Sequence, residues 1–175
     1  LNRLHMHLTD AEGWRLQIDR YPLLTSRAAW RQQQFCNDWR RSERHFSSEE
    51  DGFGGFYTKD DIREIVAYAT ARHVTVVPEI EIPGHSYEVC SVYPQVSCSG
   101  KEYENTVLCP GKEATFEFMQ NVLDEVMELF PSEYIHIGGD EANKKAWQTC
   151  PDCQKRIADE GLKDVNELQS YTIKR

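Results

Sequence analysis

Hydrophobic positions along the chain follow two different periods, and three segments carry the pattern of strands. Residues 1–8 (LNRLHMHL) alternate and contain few helix signals, so they predict a strand. Residues 74–80 (VTVVPEI) form a β-branched run that is typical of a strand buried on both faces. Residues 134–138 (YIHIG) predict a third strand. Each strand gives way to polar residues or glycines at its carboxyl end.

Helical periodicity fills the segments between these strands. Residues 58–61 (TKDD) form a capping signal, and apolar residues recur at i, i+3, i+4 and i+7 over 62–69. The same spacing over 119–130 predicts a second helix that ends before a proline. Two further helices are predicted, one over 151–161 and one capped by Asp164.

The order of elements predicts an α/β fold with parallel strands joined by right-handed helical crossovers. Residues 31–55 interrupt it with a polar, charged and glycine-punctuated stretch, which we predict to be a surface loop insertion. The sequence begins at Leu1 inside an apparent strand and ends at Arg175 inside an apparent helix. We therefore expect it to be part of a longer protein.

The charge balance limits the classes of partner. With 20 Lys and Arg against 29 Asp and Glu, the formal net charge is −9, which argues against a nucleic-acid surface. No apolar run approaches the length of a membrane span, so we expect no membrane segment in this chain.

The six cysteines have no decisive spacing. Cys98 and Cys109 bracket a short polar loop and could form a disulfide. Cys150 and Cys153, in the sequence CPDC, resemble half a zinc knuckle or a redox pair. Because neither a second CxxC nor a Cys/His pair at ligand spacing accompanies them, we predict no metal site.

Acidic residues and a histidine follow the three predicted strands, and we expect them to meet. In parallel α/β folds, ligands bind at the carboxyl edge of the sheet, and catalytic residues come from several strand ends. One acid held protonated beside another group held charged suits a hydrolase built from carboxylates. The residues at this edge are Asp10, Glu79, Glu81, His85, Asp140 and Glu141.

Each of these residues also has a purely structural interpretation. An isolated aspartate at a strand end most often caps a helix or forms a turn. Glu79 and Glu81 alternate onto one face and could pair with arginine or lysine. His5 and His7 also share a face, and we expect them to pack and to form hydrogen bonds. The convergence of three strand ends favours a functional site more strongly than any single residue does.

Four motifs resemble glycoside hydrolase family 20, the β-N-acetylhexosaminidases. HIGGDE at 136–141, with Trp147 beyond it, resembles the family's active-site strand. Residues 4–24 (LHMHLTDAEGWRLQIDRYPLL) look like its second barrel strand and loop, and residues 55–85, which end in EIEIPGH, look like its third unit. Residues 129–141 match the fourth strand. The resemblance covers nearly all of the chain apart from residues 31–52.

The resemblance implies a fold and an activity. Family members are (β/α)₈ barrels that remove terminal N-acetylglucosamine or N-acetylgalactosamine from the non-reducing ends of glycans. They retain the anomeric configuration without an enzyme nucleophile. Instead, the acetamido oxygen of the substrate attacks the anomeric carbon and forms an oxazolinium ion. No cofactor is implied.

The resemblance also implies roles for individual residues. Glu141 corresponds to the general acid and later base, and Asp140 to the residue that orients the acetamido N–H and stabilises its growing positive charge. Asp10 and His85 match a supporting pair around the acid, and Glu81 lies near them. Trp147 is expected to pack behind the acid doublet, as a residue of the second shell, and not to stack on a sugar.

By the same resemblance, the chain is a catalytic-barrel fragment over residues 1–175 that holds about strands two to four. A complete barrel takes about 250 residues. The first strand, which supplies a sugar-binding arginine, and the later aromatic walls lie outside it. We therefore expect the fragment alone to be inactive and to self-associate through its open sheet edges.

The substrate class predicts an exported protein. A bacterial member would be periplasmic or on the cell surface, and a eukaryotic one lysosomal or secreted. The absence of an Asn-x-Ser/Thr acceptor favours a bacterial source.

Two other functions remain open from the sequence. A metal-dependent barrel hydrolase would use His5, His7, His85 and Asp140 as ligands. A non-catalytic sugar-binding barrel is the other alternative, against which the intact acid doublet speaks.

Overall fold

A computed structural model describes residues 1–32, 46–50 and 52–175. The strands are β1 Arg3–His7, β2 Thr9–Asp10, β3 Gly13–Trp14, β4 Trp30–Gln32, β5 Gly52–Gly54 and β6 Thr75–Glu79. The helices are α1 Leu23–Ser26, α2 Lys59–Thr70, α3 Tyr87–Val92, α4 Glu113–Leu129, α5 Lys145–Thr149, α6 Pro151–Asp159 and α7 Val165–Lys174, with a 3₁₀ turn at Pro94–Val96. None of the described helices has the length and apolarity needed to cross a bilayer.

Parallel pairing organises the sheet, as predicted. β1 lies beside β6 in parallel, with His7 opposite Glu79. On the other side of β6, the amide of His136 donates to the carbonyl of Pro78 over 2.9 Å, and the amide of Ile80 donates back to the carbonyl of His136 over 2.9 Å. Three segments that follow one another around the predicted fold therefore run side by side in the same direction.

The third predicted strand is shorter than expected. Residues 134–138 form a single parallel bridge, between Glu79 and His136, in place of a longer strand. The physical reason is the double glycine: Gly138 and Gly139 have φ values of 61° and 101°, which turn the chain out of the extended conformation. The segment therefore leaves the sheet immediately before the acid doublet.

Local signals explain where the helices begin. The Thr58 side chain accepts a hydrogen bond from the Asp61 amide, while the Asp61 side chain accepts one from the Thr58 amide, so α2 begins with a complete capping box. The Asp164 side chain caps α7 by accepting from the amides of Asn166 and Glu167. Both caps were predicted from the sequence.

The main core lies between the sheet and helices α2 and α4. Ile62 of α2 and Val122 and Val126 of α4 are fully buried there, together with Trp14 and Leu16. Each such aliphatic side chain contributes roughly 1.5–3 kcal/mol by burial. This core packs against the sheet and does not cover the side chains at the carboxyl ends of the strands.

A short antiparallel ribbon borders the predicted insertion at residues 31–55. β4 pairs with β5, with Trp30 opposite Gly54, and Phe46 is buried against this ribbon. Residues 33–45 and 51, which make up most of the insertion, lie outside the described residues. The surface-loop interpretation of those residues stays a prediction.

Candidate active site

The predicted site residues meet at the carboxyl edge of the sheet. Asp10 ends β2, Glu79 ends β6, and Glu81 and His85 follow within the next turn. Asp140 and Glu141 follow the bridge residue His136 on the neighbouring segment. We call the residues gathered here the acid–histidine cluster: His5, His7, Asp10, Glu79, Glu81, His85, His136, Asp140 and Glu141.

Three imidazoles surround the buried carboxylate of Glu79. Its Oε2 lies 2.7 Å from Nε2 of His5 and 3.0 Å from Nδ1 of His7, and its Oε1 lies 2.7 Å from Nδ1 of His136. Burial opposes ionisation of Glu79, but the nearby His136, His7 and His5 outweigh that effect and lower its pKa. The carboxylate therefore holds three side chains from neighbouring strands together.

This arrangement corrects the structural interpretation of Glu79, which pairs with histidines and not with arginine or lysine. Sequence reasoning also missed His136, although it placed that residue on the third strand. The strand register could have identified both the histidine partners of Glu79 and the position of His136 among them. In the parallel register His7 lies opposite Glu79, and Glu79 bridges to His136, so alternate residues of three strands share one face.

His85 connects Asp10 to the acid doublet. Its Nδ1 lies 3.1 Å from Oδ1 of Asp10, and its Nε2 lies 3.8 Å from Oδ2 of Asp140 and 3.7 Å from Oε2 of Glu141. Asp10 Oδ2 in turn lies 3.3 Å from Nε2 of His7. A continuous series of acids and imidazoles thus leads from the buried Glu79 to the doublet.

The doublet itself faces solvent. The side chains of Asp140 and Glu141 are 68% and 80% exposed, while that of His85 is 25% exposed. His85 and Glu141 have φ values of 45° and 47°, a conformation that costs a non-glycine residue about 1–2 kcal/mol. Such strained residues concentrate at functional sites. The backbone therefore presents these two side chains to the same open space at an energetic cost.

Glu81 lies near the doublet as a buried carboxyl whose ionisation is disfavoured. Burial, followed by the negative charge of Glu79, raises the pKa of Glu81 to about 7. Its Oε2 has no hydrogen-bond partner among the described residues. A Cβ on Gly138 would overlap that oxygen, so any other residue would displace the Glu81 carboxyl, and the φ of 61° itself favours glycine.

Two further residues lie near the backbone on either side of the doublet. The side chain of Gln169 in α7 donates to the carbonyl of Gly139 over 2.6 Å, and sequence reasoning did not identify it. Trp147 is fully buried, and its indole N–H donates to the carbonyl of Leu108 over 2.9 Å. Trp147 therefore has no open face for a sugar, and it belongs to an apolar group that packs against Ala142, the residue after Glu141.

The four ligands of the metal-dependent alternative do not form one group. Among the described residues, His5 groups with Glu79 and His136, and His7 groups with Glu79 and Glu81. His85 groups separately with Asp140 and Glu141. Within strand β1, His5 and His7 both contact the Glu79 carboxylate.

The sequence offers Cys150 and Cys153 no partner pair at ligand spacing, but the fold supplies one. Cys98 and Cys109 lie beside them, and the four sulfurs are all within 4.8 Å of one another. The loop between Cys98 and Cys109 closes because Ser97 pairs with Leu108, which brings both cysteines back towards α6. All five described cysteines are free thiols, so the suggested disulfide between Cys98 and Cys109 is absent.

The profile of "Glycosyl hydrolase family 20, catalytic domain" matches residues 1–175, the whole chain. The chain belongs to glycosyl hydrolase family 20. This confirms the family that the four motifs indicated.

Relatives in this family share much of the sequence. The chain is 44% identical to a beta-hexosaminidase of Porphyromonas gingivalis over 185 aligned residues, which cover 100% of the chain and 22% of that protein. It is 40% identical to a beta-hexosaminidase of Vibrio furnissii, with 99% of the chain and 29% of that protein covered. The chain thus spans roughly a quarter of the length of these two relatives.

Solved family 20 structures share the fold. A β-N-acetylhexosaminidase from Bacteroides fragilis superimposes with a TM-score of 0.81 at 41% identity, covering 98% of the chain and 32% of that structure. An exo-β-N-acetylglucosaminidase from Vibrio harveyi, in complex with N-acetylglucosamine, gives a TM-score of 0.81 at 36% identity, with 98% and 27% covered. The α/β fold with parallel strands is therefore part of a family 20 (β/α)₈ barrel, as predicted.

Proposed function

We propose that this family 20 protein is an exo-acting β-N-acetylhexosaminidase. It removes terminal N-acetylglucosamine or N-acetylgalactosamine from the non-reducing ends of glycans and retains the anomeric configuration. The observation that carries this proposal is the exposed doublet of Asp140 and Glu141, with both carboxylates within 4 Å of His85 Nε2. The beta-hexosaminidases that resemble the chain support the same activity.

In the first step, the substrate supplies its own nucleophile. The acetamido oxygen attacks the anomeric carbon as the glycosidic C–O bond breaks, and Glu141 gives its proton to the departing oxygen. Asp140 accepts a hydrogen bond from the acetamido N–H and stabilises the positive charge of the oxazolinium ion. Holding an internal nucleophile in position removes much of the entropic barrier, which for well-oriented groups is worth about 7–11 kcal/mol.

In the second step, Glu141 acts as a base. It takes a proton from a water molecule, whose oxygen attacks the anomeric carbon and reopens the ring to the acetamide. Glu141 is then protonated again, as it was at the start. The net change is hydrolysis of one glycosidic bond.

The supporting residues prepare the doublet for these two roles. Asp10 holds Nδ1 of His85, which leaves Nε2 facing both carboxylates. The distances of 3.7 and 3.8 Å are longer than hydrogen bonds, as is common before substrate binds. Glu81, uncharged up to about neutral pH, adds no third negative charge beside the doublet.

Substitution of the doublet in the intact natural polypeptide tests the proposal. Glu141→Gln removes the acid, so we expect a loss of about 10²–10⁴-fold in kcat on an N-acetylglucosamine disaccharide. The loss on an activated aryl glycoside is expected to be smaller, because its leaving group needs less protonation. Asp140→Asn is expected to slow both substrates, because attack by the acetamide accompanies the departure of either leaving group.

Glu133→Gln is the matched control, since Glu133 is an exposed glutamate eight residues before Glu141. It should leave both rates unchanged. Wild-type rates in both doublet variants would refute the proposed function.

Two expectations from the sequence accompany this function as proposals. We propose that the protein is exported, because its glycan substrates lie outside the cytoplasm; cell fractionation of the source organism tests this.

We also propose that residues 1–175 alone are inactive and self-associate through the edge at β1, where Leu1 and Leu4 are exposed. Activity of this segment, or a monomeric elution volume, would contradict the second proposal.

A further inference from the structure

Four cysteine sulfurs meet behind the acid–histidine cluster in a geometry that differs from that of disulfides. The Sγ–Sγ distances are 3.8 Å between Cys98 and Cys153, 3.7 Å between Cys109 and Cys150, and 3.5 Å between Cys109 and Cys153. Disulfide sulfurs are about 2.05 Å apart. Around a tetrahedral zinc ion with Zn–S bonds of about 2.3 Å, neighbouring sulfurs lie ~3.8 Å apart. We call Cys98, Cys109, Cys150 and Cys153 the cysteine cluster.

The cysteine cluster is largely shielded from solvent by apolar side chains. Cys109, Cys150 and Cys153 are buried, and Cys98 is half-buried. The side chains of Val107, Trp147 and Leu168 pack around them as one apolar group. Thiols form only weak hydrogen bonds, so packing alone gives little reason to gather four of them, three of which are buried.

The backbone is also shaped to bring the two cysteine pairs together. A Cβ on Gly111 would overlap the backbone of Asp152 and Cys153 in the first turn of α6. Only glycine allows the chain after Cys109 to lie this close to α6.

We propose that the cysteine cluster binds one zinc ion as a structural site. A tetrahedral set of four thiolates selects zinc among the common divalent ions, and a centre with four protein ligands has no open position for catalysis. On binding, the four thiols release four protons and form four Zn–S bonds, with no change of oxidation state. This assignment does not depend on the proposed hexosaminidase activity.

The position of the site suggests what the zinc would stabilise. Between Cys98 and Cys109, the carbonyl of Thr106 accepts from the Ser86 amide over 3.0 Å, and the amide of Leu108 donates to the carbonyl of Pro83 over 2.9 Å. These bonds hold the turn that carries His85. Cys150 lies between α5 and α6, and Cys153 lies in α6, so both follow Glu141 in the chain. Zinc would therefore link the loop that supports His85 to the segment that follows Glu141.

Metal analysis of the intact protein tests the assignment. We expect about one zinc ion per chain after purification without chelators, and X-ray absorption at the zinc edge should show four sulfur ligands at about 2.3 Å. Cys150→Ser combined with Cys153→Ser is expected to abolish zinc binding. Cys90→Ala is the matched control, because Cys90 is a buried thiol outside the cluster and should leave the zinc content unchanged.

Three outcomes would overturn the proposal. The first is a mass four hydrogens lower without zinc, which shows two disulfides, the competing fate of these thiols in an oxidising compartment. The second is iron at the site, and the third is four free thiols that take up no zinc when it is added. The wild-type measurements decide among these even where the double variant fails to fold.

Discussion

The acid–histidine cluster and the cysteine cluster are built in different ways, although both draw on the segment between residues 79 and 153. The first lies at the carboxyl edge of the sheet, and its outer members face solvent. The second is buried among apolar side chains behind it. Strand register positions the first, whereas the close approach of a loop to a helix positions the second. In this chain, side chains at and beyond the strand ends form the candidate active site, and a close contact between a loop and α6 gathers the buried thiols.

The largest effect is expected from Gly138→Ala, which tests the close packing under the acid–histidine cluster. The new Cβ would overlap the buried carboxyl of Glu81, and the φ of 61° adds backbone strain. We expect the free energy of unfolding to fall by about 2–5 kcal/mol, measured by urea denaturation of the intact protein.

Gly161→Ala separates these two causes. Gly161 has a φ of 62° and nothing within 4 Å of its Cβ position, so it carries the same strain without the overlap. We expect a loss of about 1–2 kcal/mol there. Equal losses in the two variants would mean that Gly138 is needed for its backbone conformation alone.

A somewhat smaller effect is expected from Gly111→Ala, the equivalent test of the cysteine cluster. The Cβ would push the chain after Cys109 away from α6. Overpacking of this kind is expected to lower the free energy of unfolding by about 1–3 kcal/mol. Separation of the cysteine pairs should also make their sulfurs react faster with a thiol reagent.

Gly100→Ala is the control in the same loop. Its Cβ position is open, so only its φ of 68° opposes the substitution. We expect its thiol reactivity to match that of the wild type. If Gly111→Ala also matched the wild type, the close approach to α6 would not be what gathers the four sulfurs.

The smallest effect is a pH dependence specific to the acid–histidine cluster. The pKa of Glu81 is raised from 4.5 to about 7 in the folded protein. Between these values the folded state keeps a proton that the unfolded state has lost, so stability falls as pH rises through this range and then levels off. Glu81→Gln, which cannot ionise, should remove this part of the slope in the melting temperature.

The exposed Glu133→Gln serves again as the control and should keep the wild-type slope. For each variant, the melting temperature is plotted against pH and subtracted from the wild-type plot. The difference cancels the contribution of the histidines, which all the proteins share. A Glu81→Gln curve parallel to the wild type would show that Glu81 ionises in the fold as it does in the unfolded chain.

Much of the fold, and six of the nine residues of the acid–histidine cluster, could be predicted from the sequence. The helix caps at Thr58 and Asp164 depend on residues within one turn, so the sequence predicts them directly. The edge that holds Asp10, His85 and the acid doublet follows from three strands and their parallel order. By contrast, the shortened third strand follows from two glycines whose φ values only the folded chain reveals.

By itself, the sequence determined the α/β order, the family and the strand ends that carry the acids. Periodicity, capping and motifs are properties of neighbouring residues, and neighbours are present in the sequence. Only the tertiary structure decided that Glu79 binds three histidines and that Cys98 and Cys109 join Cys150 and Cys153. These partners lie about 40–75 residues apart, and strand register and loop path, which the whole core determines, bring them within contact.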